Sequence, residues 1–368
     1  MSILKDLSFS LSKHQATRQA LETVASLQGQ LRTALEKIKF QEVQATFLKV
    51  DWLRSQGECG GGWRYILEKE TEVFHTASLN VSAVHYDQDP AKKLRTAIAL
   101  SAIIHPAIES LPSIHMHISL TALKDDSYSM RLMADLNPAE INDEDTKRFN
   151  AALEKGVQQF PENTSLLQEA LRQGDRYFTI PALDRTRGVA HFYLEGYQGK
   201  SYQEDLSHAR LFGESVIACY QGILEDRLKQ LASTQAIKEI KDSAKLAYFT
   251  LYLFQVLSLD RGTISGLMVH NENDEGIMGS LPGAINLSLL LSWLPLVVAD
   301  QQPLLKSIAE VLESYVVSEE PGTKLVHVSK EARLELANIV RQHYRDNPAA
   351  LEHLARGDKM PPTVENHR

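Results

Sequence analysis

The run Ile114-His115-Met116-His117-Ile118-Ser119-Leu120-Thr121-Ala122-Leu123 alternates apolar and polar residues with a period of two. Such alternation marks a β-strand with one face in a core and the other on a polar surface, and it places His115 and His117 on the same face. Ser129–Ala134 repeats the pattern. Trp63–Leu67 and Val73–Val84 form a candidate strand pair around the charged turn Glu68–Thr71, and Ala190–Leu194 adds another strand. The apolar segments Ala247–Leu259 and Thr263–Val269 are also read as strands. Outside this region the period changes. Leu21, Val24, Leu31, Leu35 and Ile38 recur at helical spacing, as do Leu304, Ile308, Val311 and Leu312. Asp143–Gln159, Ser165–Arg172, Tyr202 to about Ser233 and Ala332–Leu354 are further helices. The polar tail Gly357–Arg368 is expected to be loose. Strands in the middle and helices at both ends predict an α+β fold, a large, mainly antiparallel sheet flanked by helices. Three parts are expected: a helical segment over 1–50, an α+β core over 51–290 and a helical extension over 291–368.

The 368 residues are 43% hydrophobic and 23% charged, with a formal net charge of −8. This is globular composition, and it excludes disorder for most of the chain. The absence of any Lys/Arg cluster excludes a nucleic-acid groove, because phosphate neutralisation needs concentrated positive charge. Two cysteines, Cys59 and Cys219, are too few for a disulfide scaffold or a thiolate zinc site, so a reducing cytoplasm is expected. Met1–Lys13 has no signal-peptide apolar run, so the glycosylation-type matches at Asn80, Asn163 and Asn286 are read as chance. Leu246–Leu259 and Ala284–Ala299 are shorter than the roughly 20 residues of a membrane span and are expected in the core.

Several familiar chemistries are missing from the sequence. Gly60-Gly61-Gly62 lacks the Lys-Ser/Thr of a phosphate loop and is read as a strand entry. Gly262-Thr263-Ile264-Ser265-Gly266 puts its serine off-centre for a nucleophile elbow. Neither a His-Glu-x-x-His helix nor an EF-hand loop occurs. A histidine group remains: His105, His115 and His117. Two imidazoles on one strand face suit a divalent metal or acid–base work near neutral pH; equally they suit a polar cleft in which each bonds its neighbours.

Motifs in order then carry a resemblance. Gly60-Gly61-Gly62-Trp63-Arg64, Val73-Phe74, Asn80-Val81-Ser82-Ala83-Val84-His85, Ser101-Ala102-Ile103-Ile104-His105-Pro106, Leu111-Pro112-Ser113-Ile114-His115 and Asp135-Leu136-Asn137-Pro138 resemble, collinearly, motifs of the oxygen-dependent coproporphyrinogen III oxidases. Tyr177-Phe178, Arg187-Gly188-Val189, Asp260-Arg261-Gly262-Thr263, Gly266-Leu267 and Ser280-Leu281-Pro282 extend the resemblance, so that it spans Asp51–Pro282. It implies a homodimer built on a broad antiparallel sheet. It also implies a cleft for a flexible, tetracarboxylate porphyrinogen, and decarboxylation of two of its propionates to vinyl groups with molecular oxygen and no organic cofactor.

By motif, the resemblance puts His115 in the place of the proton donor and Asp135 in that of the carboxylate near the pyrrole nitrogens. Ser101 and His105 take supporting positions, and Arg187 and Arg261 fall on family arginines. With Ser101, His117, Arg64 and Arg187 as candidate substrate contacts, and His105 as a candidate metal ligand, this is the expected site. Arg131 and Arg185 are further candidate carboxylate binders, and Arg261 is expected chiefly in structural ion pairs. The departures are equally specific. Ser119 stands where the family strand His-x-Asn-x-Arg carries its arginine, and Ala182 stands where it carries a histidine before Arg-Gly. Ser129–Ala134 replaces Trp-Phe-Gly-Gly-Gly, and no Gly-Gly-Arg occurs near Val269–Asp274. Three readings follow: an oxygen-dependent decarboxylase centred on His115 and Asp135, a tetrapyrrole-binding protein that kept the scaffold without turnover, and a metal-dependent oxygenase using His105, His115 and His117.

Overall fold

In this computed structural model the described residues are 7–40, 43–234, 244–359 and 363–367. At its centre is a seven-stranded antiparallel meander, β1 (Phe47–Leu53), β2 (Gly60–Leu67), β3 (Phe74–His85), β4 (Leu94–Pro106), β5 (Ser113–Leu123), β6 (Tyr128–Asn137) and β7 (Ala190–Tyr197). Each strand pairs with the next, so the spatial order is the chain order reversed, β7 to β1. Such a sheet can bury one face in a core and present the other to a cleft, which the period-two composition provides.

One face carries Ile98, Leu100, Ile114, Met116, Ile118 and Leu132, all buried. Against it pack α1 (Gln15–Lys37) and α4 (Tyr202–Thr234), with α2 (Asp143–Val157) beside α4 and α3 (Asn163–Phe178) against β7. At Gly213 of α4 an added Cβ would come within 2.8 Å of Leu27 and 3.0 Å of Ile118, so this glycine sets how closely α4 approaches α1 and the sheet. Over the other face lies a second layer: α5 (Ala244–Ser258), α6 (Arg261–Val269), α7 (Asp274–Met278), α8 (Leu287–Ser292), α9 (Gln302–Glu313) and α10 (Lys330–Asp346). This layer has its own core, which includes Phe249, Leu253, Leu257, Leu290, Ile308 and Val340, and it holds a small sheet, β8 (Ala284–Asn286), β9 (Val316–Glu320) and β10 (Thr323–His327). The last element, α11 (Thr363–His367), lies against α6.

Two expected strands are helices. Ala247–Leu259 falls in α5 and Thr263–Val269 in α6. In α5 nearly every residue is buried, so no polar stripe betrays the helical period, and its 15 residues exceed the usual strand length. In α6 the start signal is Asp260, whose side chain accepts from the Thr263 amide at 2.7 Å as an N-cap. The expected single helix Ala332–Leu354 stops at Asp346, because Pro348 follows and a short 3₁₀ turn takes over. In the tail Gly357–Arg368, residues 360–362 and 368 lie outside the described residues; Thr363–His367 is helical and His367 is buried. Among the described residues no helix is long and apolar enough to cross a membrane.

Glycines at two places give opposite predictions. A Cβ at Gly62 would meet Val81 O at 2.0 Å and Trp52 Nε1 at 2.7 Å, whereas one at Gly29 in α1 would meet nothing within 4 Å. Gly62→Ala should therefore destabilise by about 1–3 kcal/mol, since β2 and β3 must part. Gly29→Ala should stabilise by about 0.5–1 kcal/mol through helix propensity alone. Denaturant midpoints that move the same way for both would contradict this packing.

Candidate active site

The strand residues that face away from the α1–α4 core look into a cleft under the second layer. Counted together with the open solvent at its mouth, the free space there is about 1770 Å³. Its floor is paved with short hydroxyl and amide side chains, including Ser78, Asn80, Ser101, Ser119 and Thr121, and its roof is built from Tyr252, Gln255 and Asp260. The pleat accounts for the floor: Ser101 on β4 faces His117 on β5, and His117 faces Met133 on β6, one row across three strands.

His115 and Asp135 are direct cross-strand partners. His115 Nδ1 donates to Asp135 Oδ1 at 2.8 Å; Asp135 Oδ2 accepts from Asn137 Nδ2 at 2.6 Å and from Arg187 Nη2 at 2.9 Å. Burial alone would raise the Asp135 pKa, yet Arg187, then His115, hold it below the ordinary carboxylate value. Asp135 is fully buried and is not among the side chains lining the cleft, whereas His115 is, with Nε2 as the ring atom left to face it. The carboxylate thus orients the imidazole from behind.

Arg187 places its guanidinium over the rings of Phe178 and Tyr252, at 4.7 Å and 4.8 Å from their centroids. Its carbonyl accepts from His191 Nε2 at 2.6 Å, and His191 Nδ1 pairs with Asp175 at 2.7 Å. Gly188 follows with φ +81°, where a Cβ would lie 2.7 Å from Asn137 Oδ1 and 2.8 Å from Leu136 O. Glycine is therefore required at 188 by the close approach of this turn to β6. Farther along the floor Arg131 binds Glu195 through both Nε and Nη2, and Tyr193 donates to the same carboxylate at 2.8 Å. Asp260 accepts from Tyr177 at 2.7 Å as well as capping α6.

The remaining sequence candidates fall elsewhere. Arg64 is paired with Glu275 at 2.7 Å and is not among the cleft-lining side chains. Arg185 lies exposed in a two-residue strand, and Arg261 donates to the carbonyls of Leu351 and Ala355, a structural role. His105 is fully buried: Ser113 Oγ and Ser280 O sit 3.1 Å from its two nitrogens, and Tyr252 packs on it at 4.6 Å. His117 lies opposite Ser101, four residues along β4 from His105, a separation of about 13 Å at strand rise. The expected metal trio therefore does not assemble, and among the described residues no three His, Cys, Asp or Glu gather to hold a metal ion. Sequence reading missed His191, Glu195, Gln255 and His270. Of these only His191 and Glu195 carried a signal, since both alternate with core residues on β7.

The profile of coproporphyrinogen III oxidase matches residues 19–292. The chain belongs to that family. Its members include the mitochondrial oxygen-dependent coproporphyrinogen-III oxidase of Rattus norvegicus, 23% identical over 282 residues that cover 70% of this chain and 60% of that protein. The Homo sapiens counterpart is 23% identical, covering 70% and 59%. The chloroplastic coproporphyrinogen-III oxidase 1 of Arabidopsis thaliana is 27% identical over 295 residues, covering 74% and 73%. At this identity the chain is a diverged member, and it spans about three-fifths of the length of these animal relatives. Matched to the family are the sheet, α5 and α6; α9, α10 and α11 lie beyond the match, although Thr363, Asn366 and His367 of α11 line the cleft.

Proposed function

We propose that this coproporphyrinogen oxidase family member carries out oxygen-dependent oxidative decarboxylation of a propionate-bearing porphyrinogen, coproporphyrinogen III or a relative of it, without an organic cofactor. The observation that carries the reading is the imidazole of His115, which lines the cleft and is backed by a buried, ionised Asp135. In such a reaction each propionate releases carbon dioxide, one proton and two electrons, and the electrons pass to dioxygen, giving hydrogen peroxide with two protons. His115 Nε2 takes up the proton released with each propionate and, from the donor's place, returns it to the reduced oxygen, the second proton of the peroxide coming from solvent. Asp135 stabilises the imidazolium that forms and fixes its ring, acting as a positioning residue in the logic of His–carboxylate pairs. Arg187, lying over the rings of Phe178 and Tyr252, keeps that carboxylate ionised.

The test is an anaerobic mixture of protein and propionate-bearing porphyrinogens, started with oxygen and followed by carbon dioxide release. Oxygen-dependent release, lost in His115→Ala, is expected. No release by folded protein with any of them would contradict the proposal. A second reading, a tetrapyrrole-binding protein without turnover, is favoured by Ser119 and Ala182 standing at the family's Arg and His positions. It predicts binding with no carbon dioxide. Family membership also supports a homodimer, which sedimentation checks directly.

A further inference from the structure

At one end of the cleft two cations have only neutral partners among the described residues. Arg54 donates through Nη1 to His270 Nδ1 and through Nη2 to the Tyr86 hydroxyl, and Lys92 Nζ donates to the His367 carbonyl at 2.9 Å. Both also stand near the Tyr86 ring, at 5.0 Å and 5.8 Å from its centroid. The carboxylates of this neighbourhood are turned elsewhere: Glu272 accepts from the Ser55 amide and Asp89 from the Ala91 amide, each at 3.0 Å. The arginines that line the cleft differ, since Arg131 is bound to Glu195 and Arg187 to Asp135. Arg54 and Lys92 thus bring positive charge beside the cleft that no ion pair neutralises.

Between these cations and the cleft stand His270 and the end of α11: His270 and His367 line it, whereas Arg54 and Lys92 do not. The buried His367 ring meets those of His270 and Tyr86 edge-on, at 4.7 Å and 5.5 Å. Burial, then the charges of Arg54 and Lys92, push its pKa down to about 3, so the ring is neutral. Tyr86 accepts from Arg54 on its oxygen and donates its own hydrogen to His367 Nδ1, 2.9 Å away. His367 therefore gives this corner two neutral acceptors, its carbonyl for Lys92 and its Nδ1 for Tyr86. A carboxylate presents two acceptors as well, and adds the negative charge that Arg54 and Lys92 lack. Hydrogen bonds to an ionised group are roughly twice as strong as neutral ones, so exchange of His367 for a carboxylate is favoured. A propionate, with its carboxylate two methylenes out from the macrocycle, is the substituent that extends to such a corner.

Resting on the function given above, we propose that Arg54 and Lys92 form a carboxylate subsite of the cleft, which His367 occupies until a rim propionate of the porphyrinogen displaces it and α11 moves outward. The subsite binds and orients the macrocycle and touches no reacting atom. The experiment titrates the full chain anaerobically, at one ionic strength, with coproporphyrinogen III and with its uncharged tetraamide. Quenching of tryptophan fluorescence is the readout, since Trp52 lines the cleft. Arg54→Gln and Lys92→Gln should each weaken binding of the tetracarboxylate at least about tenfold, and that of the tetraamide by less than about threefold. His367→Ala, which removes the Nδ1 acceptor, should tighten the tetracarboxylate by about threefold or more. In ¹⁵N spectra His367 Nδ1 should shift as coproporphyrinogen III binds and Tyr86 releases it. If Arg54→Gln fails to fold, Lys92→Gln, at a half-buried position, decides alone. Equal weakening of both ligands by a folded variant, or none, would overturn the subsite. Tetracarboxylate binding unchanged in His367→Ala, or a His367 ring unmoved with ligand bound, would overturn the displacement and the proposal with it. Binding of neither ligand by the native chain would overturn the pyrrolic reading itself, and this inference too.

Discussion

Asp135→Ala should cost the fold about 3–5 kcal/mol, because it strands a buried Arg187 that has no other acceptor for its guanidinium. The guanidinium is 3% exposed and lies over the rings of Phe178 and Tyr252, so the charge left behind stays largely desolvated even though Arg187 is among the cleft-lining residues. Removing both charges should be milder: Asp135→Ala with Arg187→Met should recover much of the loss, since no uncompensated ion remains. Full additivity in equilibrium denaturation would contradict this account of the pair. The linkage to pH follows from the direction of the Asp135 shift. Its folded pKa lies below its unfolded value, so its contribution is fully present above about pH 4 and is lost as pH falls through the folded pKa. Asp135→Asn should flatten that acid limb of the stability curve.

The second large effect is on turnover. His115→Ala should lower kcat by about 10²–10⁴, the usual contribution of a positioned general acid or base. It should leave the fold closer to native than Asp135→Ala does, because Asp135 keeps Arg187 and Asn137 as donors. Added imidazole should restore part of the rate. Retention of native oxygen-dependent carbon dioxide release by His115→Ala would remove this residue from the chemistry.

Much of the floor of the site was legible in the sequence. The alternation Ile114–Leu123 is the observed β5, and the shared face of His115 and His117 follows from the pleat. Leu94–Pro106 gives no clear strand alternation, since its cleft-facing Ala97, Ala99 and Ile103 are as apolar as the core-facing Ile98 and Leu100. A strand covered on both faces loses its alternation. The same loss of contrast turned α5 into an expected strand. The hairpin of β9 and β10 lies outside the elements expected from sequence, and Gly322 at φ +84° marks its turn. Arginine roles were the least legible. Arg64, Arg131 and Arg187 look alike in sequence, but Glu275, Glu195 and Asp135, each remote in the chain, decide where each guanidinium points.

The most direct measurement of the central claim is ¹⁵N NMR of the histidine imidazoles during anaerobic addition of coproporphyrinogen III. His115 Nε2, the ring atom left to the cleft, should shift on binding, while both nitrogens of His105, already engaged by Ser113 and Ser280, should stay in place. A bound ligand that leaves His115 unmoved would contradict the account.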